Sequence, residues 1–125
     1  MESLFLDATN KHPEVKLDAK EGLVSFSGRS ITENAKKFYQ PIIEWIDDFF
    51  NQTDLSLTVN LEFEYVNSSS VVWILKLLKR VERESIKGRT VAINWFYDDE
   101  DIYDAGEDIM SIFNAPFNLI NVADS

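Results

Sequence analysis

Between Leu55 and Tyr65 the chain alternates without error. Leu55, Leu57, Val59, Leu61, Phe63 and Tyr65 are apolar or aromatic, and Ser56, Thr58, Asn60, Glu62 and Glu64 between them are polar. A period of two over this length predicts a β-strand with one face on a core and the other toward water. Strands covered by helices on both sides read instead as continuous apolar runs. The expected fold is therefore α/β in two layers: a mixed sheet of about five to six strands with helices mainly on one face.

The flanking segments fit that plan. Leu4 to Leu6 predicts a short strand and Thr9 to Pro13 a loop. Val15 to Leu17 and Leu23 to Phe26, around Asp18 to Gly22, predict a hairpin whose second strand Gly28 ends. Ala35, Phe38, Ile42, Trp45, Ile46 and Phe49 recur at helical spacing, with Ser30 or Thr32 as the cap. Pro41 interrupts this stripe and predicts a kink, or a helix that begins there. Val71, Ile74, Leu75, Leu78 and Val81 form a second helical stripe, stopped by Gly88. Thr90 to Tyr97 reads as a strand, Asp101 to Phe113 as a helix and Phe117 to Val122 as a last strand. Strand and helix in alternation imply parallel crossovers. At 125 residues, 45% of them hydrophobic, one domain over residues 1 to 125 is expected.

Charge and composition narrow the function. With 22 acidic and 12 basic residues the formal charge is -10, which repels nucleic-acid backbones and anionic membrane surfaces. No cysteine is present, so neither a disulfide scaffold nor a thiolate metal site can form. The opening MESLFLDATN has no basic region followed by a long apolar run, and no segment approaches the roughly 20 apolar residues that span a bilayer. A cytoplasmic location is expected. The nucleophile elbow, the P-loop and the glycine-rich dinucleotide fingerprint are absent, and His12 is the single histidine. Neither catalysis nor a cofactor is expected.

Three groups of residues remain as candidate sites. Asn67, Ser68, Ser69 and Ser70 sit between the alternating strand and the second helical stripe. Such residues cap helices, but hydroxyls at the carboxyl end of a sheet strand also lie where open α/β folds bind ligands. A phosphate placed there meets free amides and a positive dipole. The second group is Asp98, Asp99, Glu100, Asp101, Asp104, Glu107 and Asp108. These acids are either a solvated helix start or the oxygen ligands of a metal-dependent hydrolase, the rival functional reading. Their spacing does not match the twelve-residue calcium loop. The third is the basic stripe of Lys76, Lys79, Arg80 and Arg83, followed by Lys87 and Arg89. It reads as a solvated face or as a docking patch for an acidic partner.

Several segments, in order, resemble the SiaC-type regulatory phosphoproteins of bacteria. Gly28-Arg29-Ser30-Ile31-Thr32-Glu33-Asn34 is similar to the family's glycine-x-serine-x-proline-glutamate-asparagine stretch, with Thr32 where proline is common. Pro41 to Ile46, Leu61 to Ser70, Trp95 to Asp98 and Pro116-Phe117 also match. The resemblance implies a fold like the STAS domain of anti-sigma-factor antagonists. It implies a phosphoacceptor hydroxyl just after the motif's asparagine, which is Ser68 here, with Asn67, Ser69 and Ser70 around it. It further implies a serine/threonine switch kinase and a PP2C-type phosphatase as partners. At least some members act, when unphosphorylated, on a diguanylate cyclase.

Overall fold

The computed structural model describes residues 1–123. Six strands form one sheet in sequence order: β1 (Leu4–Leu6), β2 (Glu14–Asp18), β3 (Leu23–Ser30), β4 (Leu57–Val66), β5 (Val91–Tyr97) and β6 (Phe117–Asn121). β1, β2 and β3 pair antiparallel, and β3 to β6 pair parallel. The helices α1 (Ala35–Gln52), α2 (Ser68–Ile86) and α3 (Glu100–Met110) make the three parallel crossovers. Each crossover steps in the same direction along the sheet. Right-handed connections then place all three helices on the same face.

The alternation in β4 does what its period demands. Leu57, Val59, Leu61 and Phe63 are buried against the helices, beside Val91, Ile93 and Trp95 of β5. The opposite face carries a polar row in register: Asn94 donates to Asn60 Oδ1 at 2.9 Å, and Asn118 donates to Asn94 Oδ1 at 3.0 Å. These cross-strand amides satisfy one another where water also reaches.

Both ends of the alternating run differ from expectation. Leu55 lies before the strand and is exposed. At the other end a bulge intervenes: Gly28 pairs Phe63 but Arg29 pairs Tyr65, leaving Glu64 as the extra residue. One extra residue inverts the in–out phase, so Tyr65 turns outward, 55% exposed, and Val66 packs against the core instead. Gly28 supplies the positive φ of 123° at this bulge and does not end β3, which runs on to Ser30. Ser30 is therefore a strand residue, and neither it nor Thr32 is the cap. Asn34 caps α1, accepting from the Lys37 amide at 3.3 Å. α1 continues through Pro41, because only one intrahelical donor is lost there and the flanking Tyr39, Ile42, Trp45 and Ile46 are all buried. α2 starts at Ser68, three residues earlier than its apolar stripe.

The far ends of α1 and α2 are tied together. Gly88, at φ 111°, closes α2 with a Schellman pair: Gly88 N donates to Ser85 O and Arg89 N to Glu84 O. That turn aims the Arg89 guanidinium at the carbonyls of Phe50, Thr53 and Leu55, at 2.7, 2.8 and 2.9 Å, where α1 ends and its carbonyls lack intrahelical donors.

Candidate functional site

The serine run is the first turn of α2, and its three hydroxyls have three different fates. Asn67 is the N-cap: its Oδ1 accepts from the Ser70 amide at 2.9 Å, and its Nδ2 donates to the Thr32 carbonyl at 3.1 Å. The Asn67 amide donates to Ser30 O at 3.0 Å. The cap thus fastens α2 to the segment that links β3 and α1.

Ser70 points inward and is fully buried. Ser30 donates to its hydroxyl at 2.8 Å, and the Tyr39 hydroxyl lies 2.6 Å from Ser30 Oγ. Burial pushes the Tyr39 phenol far up in pKa, with the Ser30 hydrogen bond opposing weakly, so it stays a neutral hydroxyl. Ser69 is exposed, but its hydroxyl is engaged at 3.2 Å by the Thr32 carbonyl and at 3.4 Å by Asn67 Oδ1. Ser68 is exposed, and its Oγ has no hydrogen-bond partner among the described residues.

The electrostatic setting distinguishes this helix start from that of α3. There Asp99 caps the Ile102 amide at 2.8 Å, and Glu100 and Asp101 fill the first turn. The first turn of α2 holds no acid, although the chain carries 22. Asn67 serves the Ser70 amide and Val71 N bonds Asn67 O. The Ser68 and Ser69 amides have no intrahelical acceptor. The positive end of the dipole is thus left uncompensated beside a free hydroxyl. Val72, one turn along α2 from Ser68, is 51% exposed, and Tyr65, three residues before Ser68 at the end of β4, is 55% exposed.

Asn67→Ala is expected to destabilise the protein by about 2 kcal/mol, combining a lost cap with a lost tie to Thr32. Asn67→Asp, which keeps the capping oxygen but cannot donate to Thr32, should fall between the two. Urea unfolding midpoints of the three proteins check the order.

A family model described as SiaC family regulatory phosphoprotein matches residues 6–122. The chain belongs to the SiaC family. A relative from Pseudomonas aeruginosa is 27% identical over 121 residues, covering 95% of this chain and 96% of its own. The crystal structure of apo-SiaC from Pseudomonas aeruginosa is similar at a TM-score of 0.91 and 26% identity, covering 96% of this chain and 99% of that one. SiaC of Pseudomonas aeruginosa in complex with the diguanylate cyclase SiaD, described as its activator, is similar at a TM-score of 0.90 and 26% identity, covering 94% and 98%. The mixed six-stranded sheet with three helices is thus the fold of the SiaC structures.

The other candidate groups separate on inspection. In the acidic group, Asp99 is a cap, and Glu107 accepts from the Tyr103 hydroxyl at 2.9 Å. Asp98, Asp104 and Asp108 are exposed along α3 and its approach. Among the described residues no three histidine, aspartate or glutamate side chains gather as a metal set. His12 stacks on Phe38 with ring centroids 4.6 Å apart. The basic stripe is not uniform. Lys76, Lys79 and Arg83 are exposed, whereas Arg80 is only 9% exposed. Its guanidinium is bound to Asp47 and to Glu84, at 3.0 Å from the latter, and packs 4.9 Å from the Phe50 ring centre. Arg80 therefore acts as an internal tie, and the exposed cations of the stripe reduce to the other three. Burial works against the Glu84 carboxylate, but Arg80 and Lys87 outweigh it, and the carboxyl titrates below its ordinary range. Its contribution to stability is present at neutral pH and lost as pH falls through that lowered value.

Sequence reasoning did not find Ser30, Tyr39 and the Thr32 carbonyl, which build the support under the serine run. The helical stripe as read took in Phe38 and passed over its neighbour Tyr39, which is the buried one; a buried phenol needs a hydrogen-bond partner.

Proposed function

We propose that this chain is a non-enzymatic adaptor switched by phosphorylation of Ser68, and that its unphosphorylated form binds and regulates a diguanylate cyclase. A serine/threonine kinase sets the switch and a PP2C-type phosphatase resets it. Membership of a family of regulatory phosphoproteins supports this reading, as does a family relative that activates a diguanylate cyclase. The observation that carries it is the sorting of the three hydroxyls: Ser70 is buried, Ser69 is engaged, and Ser68 is exposed and free.

A phosphate on Ser68 would stand at a helix start that holds no acid in its first turn. The phosphate brings about -1.5 to -2 charges and three acceptor oxygens. The first turn of α2 supplies unused amides and no competing carboxylate. Bound protein would cover the same turn together with Tyr65 and Val72, whose exposed apolar surface is available for contact.

The test is intact mass and peptide mapping after incubation with the kinase of the protein's own host and ATP. One phosphate on Ser68, and none in Ser68→Ala, is the expected result. Phosphate on Ser69 or Ser70 would refute the assignment.

A further inference from the structure

We propose that the groove between α1 and α2 docks an acidic, amphipathic helical segment of a partner protein. This second contact surface is distinct from the serine run and does not depend on where phosphate lands. The groove encloses about 460 Å³. Ile43 of α1 and Trp73 and Leu75 of α2 line it as half-buried apolar surface. Lys76, Lys79 and Arg83 line it as exposed cations. Asp47 is the one acid in its lining, and Arg80 already neutralises it.

Helical spacing decides the shape of the occupant. Lys76, Lys79 and Arg83 recur at one-turn steps over about 10 Å. A partner helix with acids at the same spacing meets each in turn, while its apolar stripe faces Trp73 and Leu75.

Charge decides its sign. A cationic helix face in a chain of net charge -10 would ordinarily be neutralised by acids on its own helix. Here those acids turn inward. Glu84 is held by Arg80, and Glu82 accepts from the Asn114 amide at 2.7 Å. Only Lys79 keeps a neighbouring carboxylate, Glu82 at 3.7 Å. Lys76 and Arg83 have no carboxylate partner among the described residues; the Lys76 ammonium instead lies 4.2 Å over the Trp73 ring.

Trp73 also provides the readout. Trp45 and Trp95 are buried in the core, and Trp73 is half-exposed in the groove. The probes are two synthetic helical peptides with the same leucine stripe, one flanked by glutamates and the other by lysines. They are titrated against the full chain while tryptophan emission is followed. The glutamate peptide should give a saturable blue shift that weakens as salt is raised. The double variant Lys76→Glu with Arg83→Glu, both at exposed positions, should bind it about tenfold more weakly. Ser68→Asp should leave peptide binding within about twofold, since Ser68 lies about 12 Å of helix from Lys76, beyond the screening length at physiological salt. Failure of the phospho-switch and failure of this groove are therefore read separately. Absence of saturation, an equal response to the lysine peptide, or unchanged binding by the double variant would overturn the proposal.

Discussion

Phosphorylation of Ser68 is expected to weaken partner binding by about a hundredfold and to leave the melting temperature nearly unchanged. Two terms of different size produce this asymmetry. Within the folded chain, the phosphate sits at the positive end of a 19-residue helix with no acid in its first turn. It gains about 0.3–1 kcal/mol there. At an interface that covered a neutral hydroxyl here, the same group would have to shed its water. That costs several kcal/mol unless the partner supplies cations. A hundredfold loss requires only about 2.8 kcal/mol, so a partial desolvation penalty is sufficient. Ser68→Ala should bind within about threefold of the unmodified protein, because an exposed hydroxyl with no partner contributes little. Ser68→Asp, with one charge on a shorter arm, should lose about tenfold. The measurement is calorimetric or surface-based affinity for the diguanylate cyclase before and after stoichiometric modification, with a thermal melt of each form. Unchanged affinity at full occupancy of Ser68 would remove the switch. A large drop in melting temperature would show that the phosphate acts through the fold.

The second large effect concerns stability. Gly22→Ala should cost about 3 kcal/mol or more. Gly22 closes the β2–β3 turn at φ 68° and is buried there. Its amide donates to Asp18 O at 3.0 Å, and its carbonyl accepts from Thr58 N at 2.8 Å. A methyl group at this position would stand 2.1 Å from the Ser56 carbonyl oxygen, which is backbone and cannot swing away. The left-handed conformation adds about 1–2 kcal/mol for a residue with a side chain. Urea midpoints at constant m-value should show the loss. A variant as stable as the parent would mean that the turn relaxes freely and that its link to β4 carries little. Gly88→Ala is the control: it shares the positive φ of 111° but has open space around it, so it should cost only the backbone term of about 1 kcal/mol.

Much of the fold was legible because the chain writes its layers plainly. The period of two from Leu57 to Phe63 identified one buried and one wet face, and the helical stripes beginning at Ala35 and Val71 supplied the covering layer. The errors lie where one residue changes phase. The bulge opposite Gly28 is invisible in a hydropathy pattern, since Tyr65 continues the alternation in sequence and leaves it in space. The α1 cap was misplaced because Ser30, Thr32 and Asn34 are all capping types, and only tertiary contacts show that Ser30 belongs to the hydroxyl chain with Tyr39 and Ser70.

The candidate site was legible as a place but not as a division of labour. Asn67 to Ser70 read as a strand-to-helix junction, and the first turn of α2 is there. Nothing in three consecutive serines says which one is buried. That depends on the helix phase, which puts Ser70 on the same inner side as Ile74 and Leu77 and Ser68 toward solvent. The basic stripe misled in a related way. Arg80 shares sequence spacing with Lys76 and Arg83, yet it faces Asp47 and the Phe50 ring and serves the interior.

The order of the sheet has a consequence for biosynthesis. Strand positions run β1 to β6 exactly as the chain is made, so every strand leaving the ribosome finds its neighbour already placed. At about 5–20 residues per second, the 26 residues between Ser30 and Leu57 appear within a few seconds, long compared with helix formation. α1 can therefore cover β3 before β4 arrives, and α2 can cover β4 before β5. No pairing must be held open for a distant partner. A nascent chain halted at any crossover presents a single growing edge, that of the strand most recently added, on the side of the sheet away from β1.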